Sequence, residues 1–405
     1  MSFLRFYQFK ARKHETVPDD NEGTYISVGY SAQLVNEVLK RSGFRLVDDF
    51  LEANLIIGCE LSENQFLSLK PHQKYSHYVN TFDLGTKSGY HKIMKSLEQK
   101  IGQMPPFYPE TYSLPDENNA FIHSFSTHPK WIIKPSGGSR GEGIEIVDTL
   151  LNVDLDDSLI AQKYILNPML IDGRKFDLRF YVALTSVDPL RVYVYDNGIV
   201  RIASDVYANN PITQKSAHLT NFSINKSSEN FIPTNDMCDD GKGNKWSFAP
   251  LWPYLEAQGI DAKLLRNRIE DAFTALFIAS RDLFIHQVNH RQSFELFGID
   301  VMLDTNGNFF ILEVNVSPAL GVPSRLDLEI KGPLVKDFFN IALIPHKQSN
   351  NVENNINEYE EVQKIHSGFR ILYPTKDRIV SHSMFFAHKT KPDIELECHV
   401  NCSND

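Results

Sequence analysis

Residues 294–320 read FELFGIDVMLDTNGNFFILEVNVSPAL. Two mostly apolar runs of strand length, Leu296 to Leu303 and Phe309 to Val314, flank the segment DTNGN at 304–308. Asn-Gly between two apolar runs is a strong hairpin signal. The stretch therefore predicts two paired strands joined by a tight turn.

Polar residues interrupt these strands where a buried pair should have none. Asp300 lies inside the first strand, while Glu313 and Asn315 share one face of the second because strand side chains alternate. A buried carboxylate is costly unless a cation or hydrogen bonds compensate it. Two carboxylates and one amide oxygen suit Mg²⁺. Two exposed edge strands with solvated acids are the alternative, and they fit less well because the acids lie within the apolar runs.

Length, composition and charge narrow the class of protein. The chain has 405 residues, 42% of them hydrophobic and 23% charged, which is typical of a globular protein with two or three lobes. It has no apolar run long enough to cross a bilayer, and its N-terminus is too polar after the first residues for a secretory signal peptide. The four cysteines suggest no disulfide framework, which predicts a reducing compartment. A net charge of −10 disfavours broad nucleic-acid binding but leaves room for a local basic groove.

We expect four segments along the chain. Residues 1–115 predict an α/β lobe, with a helix over Ser31 to Ser42, a strand at Leu55 to Gly58 and a second helix over Tyr90 to Ile101. Prolines at 105, 106, 109 and 115 mark its end. The other segments are a central lobe at 116–190, a C-terminal lobe at 191–345 and a polar linker and tail at 346–405.

The central lobe opens on WIIKPSGGSRGEGIEIV at 131–147. An apolar strand ends at Lys134, a Gly/Ser loop follows, and a second strand begins at Ile144. Glycine lets a backbone approach phosphate oxygens closely, and Lys134 can place an ammonium group on them. The arrangement differs from a P-loop, because no GK[ST] opens a helix. By itself such a loop is often only a hairpin.

The segment GRKFDLRFY at 173–181 predicts a strand with charges on one face. Lys175, Asp177 and Arg179 alternate with apolar residues. This face is either a surface ladder of alternating charge or one wall of a nucleotide cleft. Two further strands are predicted between 191 and 204 around Asp196-Asn197-Gly198, and they place Arg201 on the second.

The rest of the chain carries weaker signals. Ile260 to Leu283 has the periodicity of a core helix, and His286 and His290 near its end are interpreted as ordinary histidines because no third ligand lies nearby. Within the tail, the apolar runs at 371–373, 384–387 and 394–400 predict strands or a partly ordered segment. Cys398, His399 and Cys402 match no complete zinc pattern, so free thiols are expected.

Taken together, the lysines and glycine loop of 134–175 and the metal ligands of 300–315 follow the order of an ATP-grasp fold. We therefore predict an α/β (α+β) protein that binds a nucleotide between two antiparallel sheets. The sequence also resembles the tubulin tyrosine ligase-like family, closest to its polyglutamylase branch. The matching stretches, well covered from about 80 to 341, are KPSGGSRGEGI (134–144), QKYILNPMLIDGRKFDLRFYVALTS (162–186), PLRVYVYDNGIVRIAS (189–204), HLTNFSINK (218–226), FELFGIDVMLD (294–304), FILEVNVSPAL (310–320) and SRLDLEIKGPLVKDFFNI (324–341).

The resemblance implies roles for particular residues. The predicted ATP-binding residues are Lys87, Lys134, Arg140, Gly141, Gln162, Lys163, Tyr164, Ile165, Lys175 and Asp177. The predicted metal ligands are Asp300, Glu313 and Asn315, and Glu313 also counts among the catalytic residues with Arg179 and Arg201. The predicted substrate-binding residues are Arg179, Arg201, Thr220, Asn221 and Lys331. In this family Asp177 would reach the ribose or hold a neighbouring lysine.

The resemblance further implies an activity, cofactors and partners. Family members join an amino acid to a protein carboxylate, so ATP and Mg²⁺ would be the cofactors. We expect a polyglutamylase that takes free glutamate and the C-terminal tail of α- or β-tubulin, or another acidic tail. Glycylation is the first alternative and tyrosination the second. A catalytically silent relative that binds tubulin is the alternative of another class. We also expect a monomer that binds neither nucleic acid nor membranes, in the cytoplasm on microtubules, including a cilium or flagellar basal body.

Overall fold

The computed structural model describes residues 3–6, 22–29, 31–138, 141–151, 153–207, 212–285, 290–345, 361–363, 365–382 and 391–402. Three sheets organise these residues. No helix among them is both long and apolar enough to cross a membrane.

A parallel sheet of four strands forms the first lobe. Its strands are β1 (Thr24–Val28), β2 (Arg45–Leu46), β3 (Leu55–Gly58) and β4 (Lys74–Tyr75), and its helices are α1 (Gln33–Arg41), α2 (Glu63–Leu67), α3 (Thr81–Gly85) and α4 (Lys87–Ile101). The strand order is β2-β1-β3-β4. The predicted elements at 31–42, 55–58 and 90–101 are confirmed; α1 buries Leu34, Val35, Val38 and Leu39 on one face.

An antiparallel sheet of four strands forms the central lobe. It contains β5 (Thr111–Leu114), β6 (Trp131–Pro135), β7 (Glu145–Val147) and β8 (Leu159–Lys163), in the order β5-β8-β6-β7, with helix α5 (Asn118–Phe125) packed against it. Trp131 and Phe121 are fully buried between sheet and helix. The strand-loop-strand arrangement predicted for 131–147 is confirmed.

The largest sheet has eight strands, and its long central strand crosses the molecule. The strands are β9 (Leu170–Ile171), β10 (Arg174–Val187), β11 (Leu190–Tyr195), β12 (Ile199–Ile202), β13 (Lys245–Ser247), β14 (Glu295–Leu303), β15 (Phe309–Val316) and β16 (Phe369–Tyr373). On one side β10 pairs with β12 and β11, and on the other with β14 and β9. The predicted hairpin of 294–320 is the antiparallel pair β14–β15.

Helices cover both faces of this sheet and bury its apolar residues. They are α6 (Lys215–His218), α7 (Phe222–Asn225), α8 (Phe248–Ala257), α9 (Ala262–Ser280), α10 (Asp282–Ile285), α11 (Arg325–Ile341), α12 (Lys376–Ser381) and α13 (Lys391–Cys402). Phe176 and Phe180 of β10 share a core with Phe273 of α9, whereas Tyr181 shares a core with Leu334 of α11. Because Lys175, Asp177 and Arg179 alternate in step with Tyr181, they lie on the face of α11.

The tail departs from the sequence prediction at one place. The strand expected at 371–373 is confirmed as part of β16, but residues 394–400 belong to helix α13. Leu396 and Val400 are four residues apart and both buried, which is the spacing of a helix face. Residues 384–387, His286, the side chain of His290 and most of the polar linker lie outside the described residues.

The four segments predicted from the sequence stay a proposal. Two strands belong to a sheet outside their predicted segment. Strand β5 lies before residue 115 but pairs with β8 of the central sheet, and β10 lies before residue 190 but is the centre of the largest sheet. Cys59, Cys238 and Cys398 are free and exposed, as expected for thiols outside a disulfide framework.

Candidate active site

Two adjoining cavities open beside the largest sheet, and the first of them separates it from the central sheet. The first has a volume of about 260 Å³, and the second, which extends toward the first lobe and α11, has about 840 Å³. Six residues line both: Arg201, Thr220, Asn221, Glu313, Asn315 and Val316. A ligand in one cavity would therefore reach the other across the end of the β14–β15 hairpin.

Two buried lysines face each other across the first cavity. Lys134, at the end of β6, donates to Oε1 of Gln162 on the neighbouring strand β8 at 2.8 Å. Lys175, near the start of β10, donates to the hydroxyl of Tyr164 at 3.1 Å and lies 4.4 Å from the centre of its ring. Burial lowers the pKa of Lys134 to about 8 and that of Lys175 to about 7. Both ammonium groups would gain from an anion in the cavity.

The glycine loop is fastened to the first lobe by a third lysine. Lys87 is the first residue of α4, and its ammonium group donates to the carbonyl oxygen of Gly138 at 2.9 Å. Gly138 and Gly141 both have positive φ, of 113° and 82°, which a side chain would disfavour. Loop and helix start thus form one edge of the first cavity.

Charged side chains cluster on one face of the largest sheet because of its strand register. Asp177 pairs with Arg201 across β10 and β12, Arg179 pairs with Asp300 across β10 and β14, and Asp300 pairs with Glu313 across β14 and β15. Directly opposed residues point to the same side of a sheet. Five side chains from four strands therefore meet on one surface.

The arginines of this surface are held by its acids. Arg179 makes a bidentate pair with Asp300, with Nη2 to Oδ2 at 2.9 Å, and Arg201 donates to Oδ2 of Asp300 at 2.7 Å. Arg201 also donates to both oxygens of Asp177, at 2.7 and 2.5 Å. Although burial opposes it, the charge of Arg179 and Arg201 lowers the pKa of Asp300.

Glu313 has the opposite electrostatic environment. Burial, and then the neighbouring charge of Asp300, raise its pKa above the ordinary value of a glutamate. The amide nitrogen of Asn315 lies 3.2 Å from Oε1 of Glu313 and 3.5 Å from Oδ2 of Asp300. Two close carboxylates, one of which resists ionisation, are the environment that a divalent cation would stabilise.

The residues present fit a magnesium ion by the chemistry of their donors. Asp300 and Glu313 would supply carboxylate oxygens, and the amide of Asn315 would supply its oxygen after a rotation that exchanges oxygen and nitrogen. The described residues form no group of three or more His, Cys, Asp or Glu side chains that could hold a metal. This site has only two such side chains, because its third donor is the amide of Asn315.

A family model described as the tubulin-tyrosine ligase family matches residues 65–351, well over half of the chain. The chain belongs to this family. Both the predicted resemblance and the predicted α/β fold are thereby confirmed.

Individual relatives within the tubulin-tyrosine ligase family agree with this assignment. Tubulin monoglutamylase TTLL4 of Mus musculus is 33% identical over 327 residues, which cover 76% of this chain and 27% of the relative. Tubulin polyglutamylase TTLL5 of Homo sapiens is 35% identical over 333 residues, covering 79% and 26%. Tubulin polyglutamylase ttll-4 of Caenorhabditis briggsae is 35% identical over 324 residues, covering 76% and 52%. The chain spans about a quarter of the length of the first two relatives and about half of the third.

The structure brings together nearly all the residues that the family resemblance implied. The first cavity is lined by Lys87, Lys134, Gly141, Gln162, Lys163, Tyr164, Ile165, Lys175, Asp177, Arg201, Thr220, Asn221, Asp300, Glu313 and Asn315. Arg179 and Lys331 line the second cavity. Arg140 lies outside the described residues. Among the described residues, Arg201 and Thr220 donate hydrogen bonds to the side chain of Asp177, and neither is a lysine.

Several residues that complete these cavities were missed by the sequence analysis. His218 lines the first cavity, and its Nδ1 lies 2.8 Å from the hydroxyl of Tyr164. Lys245, Asp327 and His77 line the second. The spacing of Asp327 and Lys331, four residues apart on α11, was a signal that could have found one of them. The position of Lys245 depends on the pairing of β12 with β13, which the sequence did not reveal.

Proposed function

We propose that this chain is an ATP-dependent ligase that adds glutamate to glutamate side chains of tubulin C-terminal tails through an acyl-phosphate. The observation that carries the proposal is the first cavity, where Lys134, Lys175 and the glycine loop face Asp300 and Glu313. Lysines, a loop that can approach phosphates and a carboxylate pair for Mg²⁺ are the parts that phosphoryl transfer requires. The names of the relatives support tubulin and glutamate as substrates.

Each part of the site has a role in this chemistry. A carboxylate is a poor electrophile, and transfer of the γ-phosphoryl group makes it one that an amine can attack. Lys134 and Lys175 would hold the phosphates, and Gln162 to Ile165 would line the adenine pocket. Bound Mg²⁺ would neutralise charge on the transferring phosphoryl group. Arg179 would stabilise the tetrahedral intermediate after attack of the amine.

The pairing of Arg201 refines its proposed role. Its Nε and Nη2 are engaged by Asp177 and Asp300, so only part of its guanidinium remains for a substrate carboxylate. Thr220 donates to Asp177 at 2.6 Å and so helps to fix that arginine. Arg201 would then contact the donor amino acid through one edge rather than as an open bidentate fork.

A second cationic centre in the larger cavity favours glutamate over glycine as donor. Lys331 lies 2.9 Å from Oδ1 of Asp327, and Lys245 donates to its Oδ2 at 2.8 Å, so two ammonium groups share one carboxylate. Lys331 also donates to the carbonyl oxygen of Gly321 at 2.6 Å, which leaves at least one of its three N–H donors for a ligand in the described structure. Lys245 on β13 is directly opposite Arg201 on the neighbouring strand β12. Two such cationic centres suit an amino acid with two carboxylates.

The experiment compares donors with the purified chain, ATP and tubulin. We expect incorporation of labelled glutamate to exceed that of glycine and of tyrosine. Lys245→Ala should raise the Michaelis constant for glutamate about tenfold, because it removes a charged hydrogen-bond donor, and leave that for ATP unchanged. Lys242→Ala is the matched control, since this lysine is exposed three residues away and lines neither cavity.

The outcomes separate the alternatives. Preferred incorporation of glycine would identify a glycylase. If Lys245→Ala left the Michaelis constant for glutamate unchanged, the second cationic centre would not bind the donor amino acid. No incorporation of any amino acid, together with binding to tubulin, would identify a silent relative. The nucleotide residues that a silent relative would be expected to lack are present in the first cavity. A monomer acting on microtubules, including those of a cilium, remains part of the proposal.

A further inference from the structure

A buried charged pair joins the first lobe to the hairpin that carries the metal candidates. His77 follows strand β4 and is 7% exposed, and Glu295 begins strand β14 and is 0% exposed. Nδ1 of His77 lies 2.7 Å from Oε1 of Glu295. The other carboxylate oxygen accepts hydrogen bonds from the backbone of Tyr78 at 3.0 Å and from the hydroxyl of Thr81 at 2.6 Å. One carboxylate thus holds the whole segment between β4 and α3.

The partners of the ring indicate its protonation state. Nε2 of His77 lies 2.8 Å from the carbonyl oxygen of Gly58 at the end of β3. A carbonyl oxygen and a carboxylate are both acceptors, so each ring nitrogen has to carry a hydrogen. The two contacts are those of an imidazolium whose charge is balanced by an ionised Glu295.

The electrostatics of the surroundings agree with this assignment. Burial by itself would lower the pKa of His77, but Glu295, with a smaller contribution from Glu60, raises it above the ordinary value. Among the described residues, Tyr75 of β4 also contacts the ring edge-on, and its own pKa is raised, chiefly by burial. Phe82 of α3 covers the ring on another side.

His77 itself forms part of the wall of the second cavity, whereas Glu295 lies behind it. Gly58, His77 and Ser317 all line this cavity, and the hydroxyl of Ser317 lies 3.5 Å from Nε2 of His77. Ser317 follows Asn315 by two residues and has a positive φ of 52°. The segment that it opens ends at Gly321, whose carbonyl oxygen receives the hydrogen bond from Lys331.

We propose that His77, held as an imidazolium by Glu295, is a positioning residue that fixes the end of β3 and the segment 317–321 around the second cavity. It would set the cavity wall against which the acceptor rests without contacting the reacting atoms. This inference rests on the proposed function for its substrate, and on geometry alone for its structural part.

The direction of the pH dependence follows from the raised pKa. A histidine whose folded pKa exceeds its unfolded value contributes stability that is present below the unfolded pKa and is lost as the pH rises through the folded pKa. The wall should therefore be ordered at lower pH and loosen as His77 loses its proton.

The kinetic test uses His77→Gln between pH 6 and 9, with His91→Gln as the matched control. His91 is also buried and bonded to a carboxylate, Glu117, but lines neither cavity, and burial lowers its pKa. We expect the Michaelis constant of the wild type for tubulin to rise with pH. In His77→Gln it should be raised about tenfold at low pH and stay flat, with kcat and the ATP constant little changed. His91→Gln should follow the wild-type profile.

A second measurement does not depend on activity. Backbone hydrogen exchange at Gly58 and 317–321 should be faster in His77→Gln, and ring nitrogen chemical shifts should show two protonated nitrogens in the wild type. If the wild type fails to modify tubulin, the proposed function is wrong, and exchange still decides the positioning role. If His77→Gln showed the same kinetics and the same hydrogen exchange as the wild type, the inference would be overturned. Should that variant not fold, Glu295→Gln, which removes the balancing charge, is expected to give the same change in pH profile and exchange.

Discussion

At the scale of single residues, the site is a set of buried charges that are only partly compensated within the chain. Lys134 and Lys175 have neutral hydrogen-bond partners, Gln162 and Tyr164, and their pKa values are lowered by burial. Glu313 lies beside Asp300 and has a raised pKa. Burying a charge without a full set of partners costs free energy in a structure without ligands. That free energy is recovered when ligands of opposite charge bind.

The metal assignment predicts the effect of Glu313→Gln. The substitution removes a charge and little volume, so it should reduce ligation about a hundredfold or more at millimolar Mg²⁺. The fold should be retained, because the raised pKa of Glu313 shows that its charge is unfavourable where it lies. Turnover and thermal unfolding measure the two effects.

Lys134→Ala is the comparison variant for that experiment. It should weaken ATP binding in calorimetry, whereas Glu313→Gln should chiefly affect turnover. Normal turnover in Glu313→Gln would contradict the metal assignment, and unchanged ATP affinity in Lys134→Ala would place that lysine outside the phosphate site.

At the scale of elements, the β14–β15 hairpin owes its register to its turn and to a bulge. Gly307 donates to the carbonyl oxygen of Asp304 at 3.2 Å and has a φ of 76°, and Asp304 Oδ1 accepts from the backbone of Asn306 and Asn308 at 2.9 and 2.8 Å. Three-residue hairpin loops commonly end in such a left-handed glycine. The register shifts between Asp300 and Val301, so one extra residue of β15 precedes Glu313. Bulges are frequent next to active sites because they re-aim side chains.

The turn predicts opposite effects for two glycine substitutions. Gly307→Ala should destabilise the protein by about 1 kcal/mol, because a side chain disfavours the left-handed conformation and no neighbouring atom within 4 Å interferes otherwise. Gly321→Ala, where φ is not left-handed and the added methyl group would meet no atom within 4 Å, should instead stabilise by about 0.5–1 kcal/mol, because alanine restricts the unfolded chain. Chemical unfolding of both variants measures the difference. Equal effects would mean that the conformation of the turn does not govern the register of the hairpin.

At the scale of the whole molecule, the distribution of charge matters more than its sum. The chain has a net charge of −10, yet the described residues that line the second cavity include five Lys or Arg side chains and two carboxylates. The basic residues are Arg179, Arg201, Lys226, Lys245 and Lys331. Lys163 lines the first cavity, whereas Arg174, Lys92 and Lys95 line neither. An acidic tail would be repelled at a distance and attracted only near the second cavity.

This contrast predicts a steep salt dependence of tubulin modification. Exposed charges are screened over about 8 Å at physiological ionic strength, so the Michaelis constant for tubulin should rise several-fold with added salt. The constant for ATP should change less, because Lys134 and Lys175, which would hold its phosphates, are buried. Tubulin without its C-terminal tails is the control. A constant independent of salt, or equal modification of tail-less tubulin, would point to another acceptor.

The sequence by itself determined the hairpin, the glycine loop, the charged face of β10 and the family. These features depend on local periodicity, turn residues and motif order, which neighbouring residues encode directly. The tertiary structure decided which charges meet. Arg179 with Asp300, and Arg201 with Asp177 and Asp300, are pairs separated by 121, 24 and 99 positions, and strand register alone brings them together. It also decided that residues 394–400 form a helix and that Lys245, Asp327 and His77 complete the second cavity. Such contacts follow from packing between distant elements, on which side-chain alternation along one strand carries no information.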